Sequence, residues 1–332
     1  MMSLMAPRQT NLALLALAIL AVISGFGAFA IGTKPGQWVV VAHGVIGLAI
    51  LALAPWKSMI ARRGLTRERT GRVISLILAG MVLVTILSGL VLVSGIADRL
   101  GPLTMTQIHV GAALVTLALV AVHYLQRPVR PRRQDLSRRS LIRASAILGA
   151  GGAAYLLAEG IWAVTGAPGS RRRFTGSHEI VEASLIPATQ WLDDRVQHLD
   201  GSTHTVRVAG RDYAAAELSG FGDSMVATLD CTGGWYSTQE WSGARLDRLL
   251  GDADGLSIVV RSVTGYWRRF PVVQGRKLLL ATHLAGQPLP DGNGGPVRLV
   301  APDRRGFWWV KWVATVETDD LPPWWQPPLP LS

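Results

Sequence analysis

The chain has 332 residues, enough for two domains, and 49% hydrophobic against 17% charged residues suits a chain partly embedded in lipid. The net charge of +11 is uneven: residues 1–165 hold 16 Lys and Arg against 4 Asp and Glu, and residues 166–332 hold 17 against 18. The basic excess lies in short loops between apolar runs, which argues for membrane topology and against a nucleic-acid partner. A single cysteine, Cys231, excludes an intrachain disulfide.

Four runs, about 11–32, 37–55, 73–96 and 104–126, are long enough to cross a hydrocarbon core of about 30 Å as helices. A fifth, about 141–165, is weaker because of its Gly and Ala content. The first run has no polar cleavage site after it and reads as an anchor. Six Lys and Arg between Lys57 and Arg72, and seven Arg between Arg127 and Arg143, fill two loops, while the other two carry only Lys34, Asp98 and Arg99. The N-terminus and both basic loops are therefore expected in the cytoplasm of a bacterial cell. The fifth helix then delivers the C-terminal half to the extracytoplasmic side of the inner membrane. Arg171–Arg173 oppose this count, but they precede a long domain, which weighs little in it. Ser137-Arg138-Arg139-Ser140-Leu141-Ile142-Arg143 before the fifth run looks like an internal twin-arginine export signal. An ordinary basic helix flank is the alternative.

Histidines inside apolar helices default to a functional hypothesis. His43 starts the second helix and His109 the fourth, both at the outer side of this topology. His109 and His123 are 14 apart, about 40° short of four turns and about 21 Å along the axis, so they share a face. That spacing resembles the dihaem cytochromes b. His43 and His109 can sit level, so one haem b is expected between them, with Gly44, Gly47 and Gly111 leaving room for a porphyrin. The position level with His123 on the second helix falls near Lys57, so a second haem is not expected. The plainer reading of each histidine is a hydrogen-bonded polar residue at a helix end.

Beyond Gly166 the pattern changes to short alternating segments. His204–Val208 and Leu256–Arg261 read as strands, residues 291–296 as a loop and Gly243–Leu250 as a short helix, an α+β mixture. The run Leu229-Asp230-Cys231-Thr232-Gly233-Gly234-Trp235-Tyr236 resembles the segment of sulfite oxidase-like enzymes in which one cysteine binds molybdenum. The segments 286–290, 295–302 and 306–313 follow in that family's order, and Arg173-Phe174-Thr175-Gly176-Ser177 resembles its segment that lines the cofactor. The resemblance spans about 171–318. It implies Mo-molybdopterin, with Cys231 on the metal and Phe174, Ser177, Thr232, Asn293, Arg298 and Lys311 along the cofactor. It also places Tyr266 at the border of the catalytic site.

The residue types suit this. A thiolate is the soft anionic ligand molybdenum favours, and Arg298 and Lys311 are suited to a phosphate, the first by its fork and the second as a point charge. Glycines at 294, 295 and 306 are expected to let backbone approach the ligand. Arg268 and Arg269 are expected to be solvated at the surface, with positive charge supplied to the site bordered by Tyr266 as the alternative. Two departures stand out: Asn293 occupies a position that is often histidine in the family, and Gly233-Gly234-Trp235-Tyr236 replaces the Asn-Arg used for sulfite.

The expected architecture is a membrane all-α bundle followed by an α+β domain. Residues 1–130 would form a four-helix cytochrome b-like domain, 131–168 the twin-arginine-like segment and fifth helix, and 169–332 the molybdopterin-binding oxidoreductase domain. The expected activity is oxygen-atom transfer on a small or sulfoxide-like substrate, with electrons exchanged through the haem with quinone or quinol of the respiratory chain. A sulfite-type dehydrogenase, or a non-catalytic anchored binding or sensing module, is the alternative.

Overall fold

A computed structural model describes residues 6–65, 72–126, 128–189, 195–251, 254–328 and 330. Arg67, Arg69 and Arg127 of the basic loops lie outside the described residues. The chain forms two compact units, one of residues 1–29 and 34–178, the other of residues 30–33 and 179–332.

The first unit is helical: α1 (Pro7–Ala30), α2 (Gln37–Ala52), α3 (Ala54–Leu65), α4 (Arg72–Ser94), α5 (Met105–Gln126) and α6 (Arg138–Thr165). Two short strands, β1 (Arg99–Leu100) and β2 (Leu103–Thr104), pair between α4 and α5. Five helices are long and apolar enough to cross a membrane, with α2 and α3 counted within one span, Lys34–Arg62. Many of their apolar side chains face outward, among them Ile23, Val73, Leu114, Leu156 and Val164. α6 begins at Arg138, earlier than its apolar run, because Ser137 caps it by accepting from the Ser140 N–H at 3.3 Å. The paired arginines Arg138 and Arg139 thus form its first turn. It ends at Gly166, whose φ of +66° suits a left-handed helix cap.

The second unit is α+β. Its strands are β3 (His178–Glu179), at the junction, then β4 (Thr205–Val208), β5 (Arg211–Ala214), β6 (Asp223–Asp230), β7 (Trp235–Arg245), β8 (Ser257–Ser262), β9 (Trp267–Pro271), β10 (Leu279–Leu284), β11 (Gln287–Pro288), β12 (Arg298–Val300) and β13 (Val313–Asp319). Short helices α7 (Ala215–Gly220) and α8 (Leu246–Leu250) connect them. One sheet runs β11-β10-β7, with β6 on β7 and β12 on β10; a second runs β5-β4-β13-β8-β9. Within that second sheet β13 and β4 are parallel, and its other pairs are antiparallel. The core between the elements includes Val206, Leu218, Trp241, Ile258, Phe270, Leu280, Leu299 and Val316. Trp241 and Trp309 meet edge to face at 5.4 Å.

The strands expected at 204–208 and 256–261 are present, shifted by a residue. The expected helix at Gly243–Leu250 is corrected: Gly243–Arg245 continue β7, and only Leu246–Leu250 is helical. Residues 243–245 pair with Leu279–Ala281, and ladder pairing overrides the helical period there. Gly243 is required at this place, because a Cβ would lie 2.0 Å from the Leu280 carbonyl oxygen. Gly243→Ala should therefore separate β7 from β10 and lower the unfolding free energy by about 1–3 kcal/mol, the range of overpacked cores. Denaturant titration of the purified chain, followed by tryptophan fluorescence, measures it.

Candidate functional site

Each unit carries a candidate site. In the second unit, β6 and β7 form a long hairpin that places Cys231 at the first position of its loop. The register closes at Asp230 opposite Tyr236, and the Cys231 N–H donates to the Trp235 carbonyl at 2.9 Å. Gly234 turns the chain with a φ of +95°. The Cys231 Sγ accepts from the Gly233 N–H at 3.3 Å and is 7% exposed as a residue. Gly306 lies behind it; a Cβ there would come within 3.1 Å of the Cys231 Cα.

Arg298, on β12, has its guanidinium stacked over both Trp241 (5.3 Å) and Trp309 (5.6 Å). It donates to the Asn293 carbonyl at 2.7 Å and to the Trp309 carbonyl at 3.3 Å, while its Nε has no partner. Among the described residues no carboxylate pairs with it. Burial pushes Arg298 down from the ordinary arginine range to about 10, and the nearby Cys231 acts in the opposite direction. The folded pKa is the lower one. The buried charge therefore costs stability at every pH below about 10, on the order of 3 kcal/mol, and the cost is relieved only as pH rises from there. An anion beside the guanidinium would offset it.

Lys311 donates to the carbonyls of Thr189 and Gly292, both at 2.8 Å. Gly294, with φ +100°, lies against the side chains of both Lys311 and Arg298. The structure thus gathers Asn293, Arg298 and Lys311 into one cradle. Thr189, which sequence reasoning missed, connects this cradle to the cysteine loop. Its hydroxyl accepts from the Trp235 Nε1–H at 3.0 Å, and its methyl lies near Gly233. Arg305 was also missed. It forms a buried ion pair with Asp230 at 2.5 Å and donates to the Cys231 carbonyl at 3.5 Å, anchoring the loop from behind. No spacing signal marks either residue.

Other expectations need correction. Glycines 294, 295 and 306 let protein approach protein: a Cβ on Gly295 would meet the Leu289 carbonyl oxygen at 2.1 Å. Arg268 and Arg269 are not at the surface; they are 1% and 4% exposed. Arg268 lies against the rings of Tyr266, Phe307 and Trp308, and Arg269 pairs with Asp319 at 2.7 Å. Tyr266 accepts from the Arg268 Nε–H at 2.6 Å and donates to the Phe307 carbonyl, next to Gly306 in the chain. Thr232 occupies the hairpin turn. Phe174 and Ser177 sit in a turn of the first unit, where the Arg173 N–H donates to the Ser177 carbonyl at 2.9 Å.

In the first unit His43, on α2, and His109, on α5, have ring centroids 6.0 Å apart and planes at 88°. His43 Nδ1 lies 3.1 Å from the Ala21 carbonyl oxygen, and His109 Nδ1 lies 2.8 Å from that of Thr85. A carbonyl only accepts, so both rings carry the proton on Nδ1 and keep the Nε2 lone pair. Metal–imidazole bonds of about 2 Å would put two such centroids roughly 6 Å apart. Gly25 and Gly89 make room, since a Cβ on either would come within 2.9 Å of its histidine's Cε1. A Cβ on Gly47 or Gly111 would meet nothing within 4 Å, whereas Gly44 is packed against the Tyr155 ring. Among the described residues no cluster of three or more His, Cys, Asp or Glu could hold a bare metal ion.

A family model for the oxidoreductase molybdopterin-binding domain matches residues 194–323. The C-terminal half of the chain is such a domain. Sulfite oxidases from the mitochondria of Rattus norvegicus and Mus musculus are each 32% identical over 30% of this chain and 22% of their own length. The chain thus spans about a fifth of those relatives. The catalytic subunit MsrP of the protein-methionine-sulfoxide reductase of Gluconobacter oxydans (strain 621H) is 27% identical over 60% of this chain and 74% of its own. The crystal structure of the sulfane dehydrogenase SoxCD from Paracoccus pantotrophus aligns with a TM-score of 0.36 and 22% identity, covering 38% of this chain and 40% of that one.

The buried, carboxylate-free Arg298 fits a cofactor bearing a phosphate. Arg298→Met should leave the cofactor-free chain within about 1 kcal/mol of native stability, since the burial cost disappears together with two hydrogen bonds. Molybdenum content of protein made in a host that supplies the cofactor should fall at least tenfold. A purely structural arginine would instead show lost stability with unchanged metal.

Proposed function

We propose that the chain is a membrane-anchored molybdopterin-dependent oxidoreductase that transfers an oxygen atom to or from a small substrate, with a sulfoxide as the first choice. The observation that carries this reading is the placement of Cys231, Arg298 and Lys311 around one hairpin loop and one cradle, joined through Thr189. The bound cofactor would supply oxygen-atom exchange coupled to a two-electron change at its metal. Cys231 would hold the metal through its thiolate, in a loop anchored by the Asp230–Arg305 pair. Arg298 and Lys311 would balance the phosphate charge, with Asn293 and Thr232 beside the pterin. Tyr266 borders the site through Phe307 and is the proposed catalytic tyrosine.

The sulfoxide reading draws on the similarity to the protein-methionine-sulfoxide reductase subunit, and on Gly233–Tyr236 standing where the sulfite arginine motif is absent. Electrons would enter through a haem b held by the Nε2 atoms of His43 and His109, and quinol of the respiratory chain would be their source. The anchor would lie in the bacterial cell membrane, with the catalytic domain on the extracytoplasmic side. Arg138-Arg139 would serve export of the folded domain.

The metal content of native protein against Cys231→Ser tests the first part. Near-stoichiometric molybdenum is expected in the native protein, with metal or turnover lost in the variant. No molybdenum in protein from a cofactor-competent host sinks the enzyme reading in favour of a binding module. For the membrane half, the purified native chain should show a b-type haem spectrum, with one haem per chain. His43→Leu and His109→Leu should each abolish it, and His123→Leu should keep it.

A further inference from the structure

The helical unit contains an internal repeat that no single helix reveals. On α1 the Ala21 carbonyl, Ser24 and Gly25 surround His43, and Ser24 donates back to the Leu20 carbonyl; on α4 the Thr85 carbonyl, Ser88 and Gly89 surround His109, and Ser88 donates back to the Val84 carbonyl. Each α4 residue stands 64 positions after its α1 counterpart, and His109 stands 66 after His43. The same offsets hold at the other end of the helices. Lys57 Nζ donates to Asn11 Oδ1 on α1 at 2.8 Å, and His123 Nδ1 lies 3.4 Å from Ser75 Oγ on α4. Asn11 and Ser75 are 64 apart, and Lys57 and His123 are 66 apart. The bundle therefore repeats each of these helix-to-helix hydrogen bonds 14 residues beyond its histidine, about 21 Å along an ideal helix.

The repeated site has diverged in its chemistry. An ammonium has three donors and no lone pair, so Lys57 in that form cannot ligate iron as a histidine does. His123 uses Nδ1 toward α4, as His109 does, and so presents Nε2 in the corresponding direction. A cation that only donates, paired with an imidazole that can accept or donate a proton, suits a ring with two opposed oxygens. Lys57 and His123 are both half-buried, and exposed Met59, Val122 and Leu125 beside them offer an apolar path for a tail. We infer that Lys57 and His123 form a quinone headgroup site, the ammonium donating a hydrogen bond to one ring oxygen and the His123 imidazole hydrogen-bonding the other. This deepens the proposed quinol partner and rests on that reading of the helical unit.

Binding of decylubiquinone to the purified full-length chain in lipid nanodiscs tests it. Quenching of tryptophan fluorescence is a suitable readout, because Trp56 adjoins Lys57. Lys57→Met and His123→Leu should each weaken binding at least tenfold, Lys57→Arg should retain it, and the haem spectrum of all three should match the native one. Equal binding by native chain and variants, or none by the native chain, overturns the site. Loss of haem in His123→Leu overturns it in favour of a second haem. A native chain that lacks haem yet binds quinone through Lys57 and His123 would refute the haem and leave this site standing.

Discussion

A positive charge buried with no carboxylate beside it among the described residues governs the second unit. Arg298 lies between two tryptophan faces, and among the described residues carbonyls accept its hydrogen bonds. Carbonyl dipoles and ring faces solvate a guanidinium only in part, so its burial carries a cost that an anion beside it would offset. The surrounding construction keeps the cradle from collapsing onto that charge. Gly294 brings β12 and the Lys311 segment into contact, Thr189 ties the cradle to the cysteine loop, and the Asp230–Arg305 pair fixes the loop's base.

The two arginine environments show how burial divides roles. Arg305 is as buried as a side chain needs to be for structure, and a carboxylate at 2.5 Å matches its charge. Arg269 follows the same rule with Asp319. Arg298 breaks it, and charge left unmatched by the protein is where a ligand's charge is sought. Arg268 belongs to an aromatic cluster with Tyr266, Phe307 and Trp308, which ties the proposed catalytic tyrosine to the backbone behind Cys231.

In the helical unit the governing constraint is the hydrogen bond from His43 and from His109 to a backbone carbonyl on the neighbouring helix. An α-helical carbonyl already accepts from the residue four positions on, but its second lone pair can take an imidazole N–H. Ser24 and Ser88 hold the same relation to their rings, and each donates its own hydroxyl proton one turn back. The repeat of this arrangement 64 residues apart ties the two helix pairs to one pattern. The exchange of histidine for lysine at one of the four corners separates the chemistry of the two ends.

Much of this was legible in the chain itself. Apolar run length marks the helices because backbone satisfaction in lipid leaves few alternatives. The expected nearness of His43 and His109 follows from loop charge, which sets both at one end of their helices, and Cys231, Arg298 and Lys311 stand out through ordered motifs whose residue types carry their own chemistry. Tertiary structure decided what depends on contacts remote in sequence. Gly243–Arg245 stayed in a strand because β10 pairs with it, and Arg268 and Arg269 went inside because rings and Asp319 received them. Thr189 and Arg305 became site residues only through partners tens of residues away, and Gly44 met Tyr155 instead of open space. Local sequence records periodicity and side-chain chemistry. Whether a polar group is matched, and by which neighbour, is settled only when the chain closes on itself.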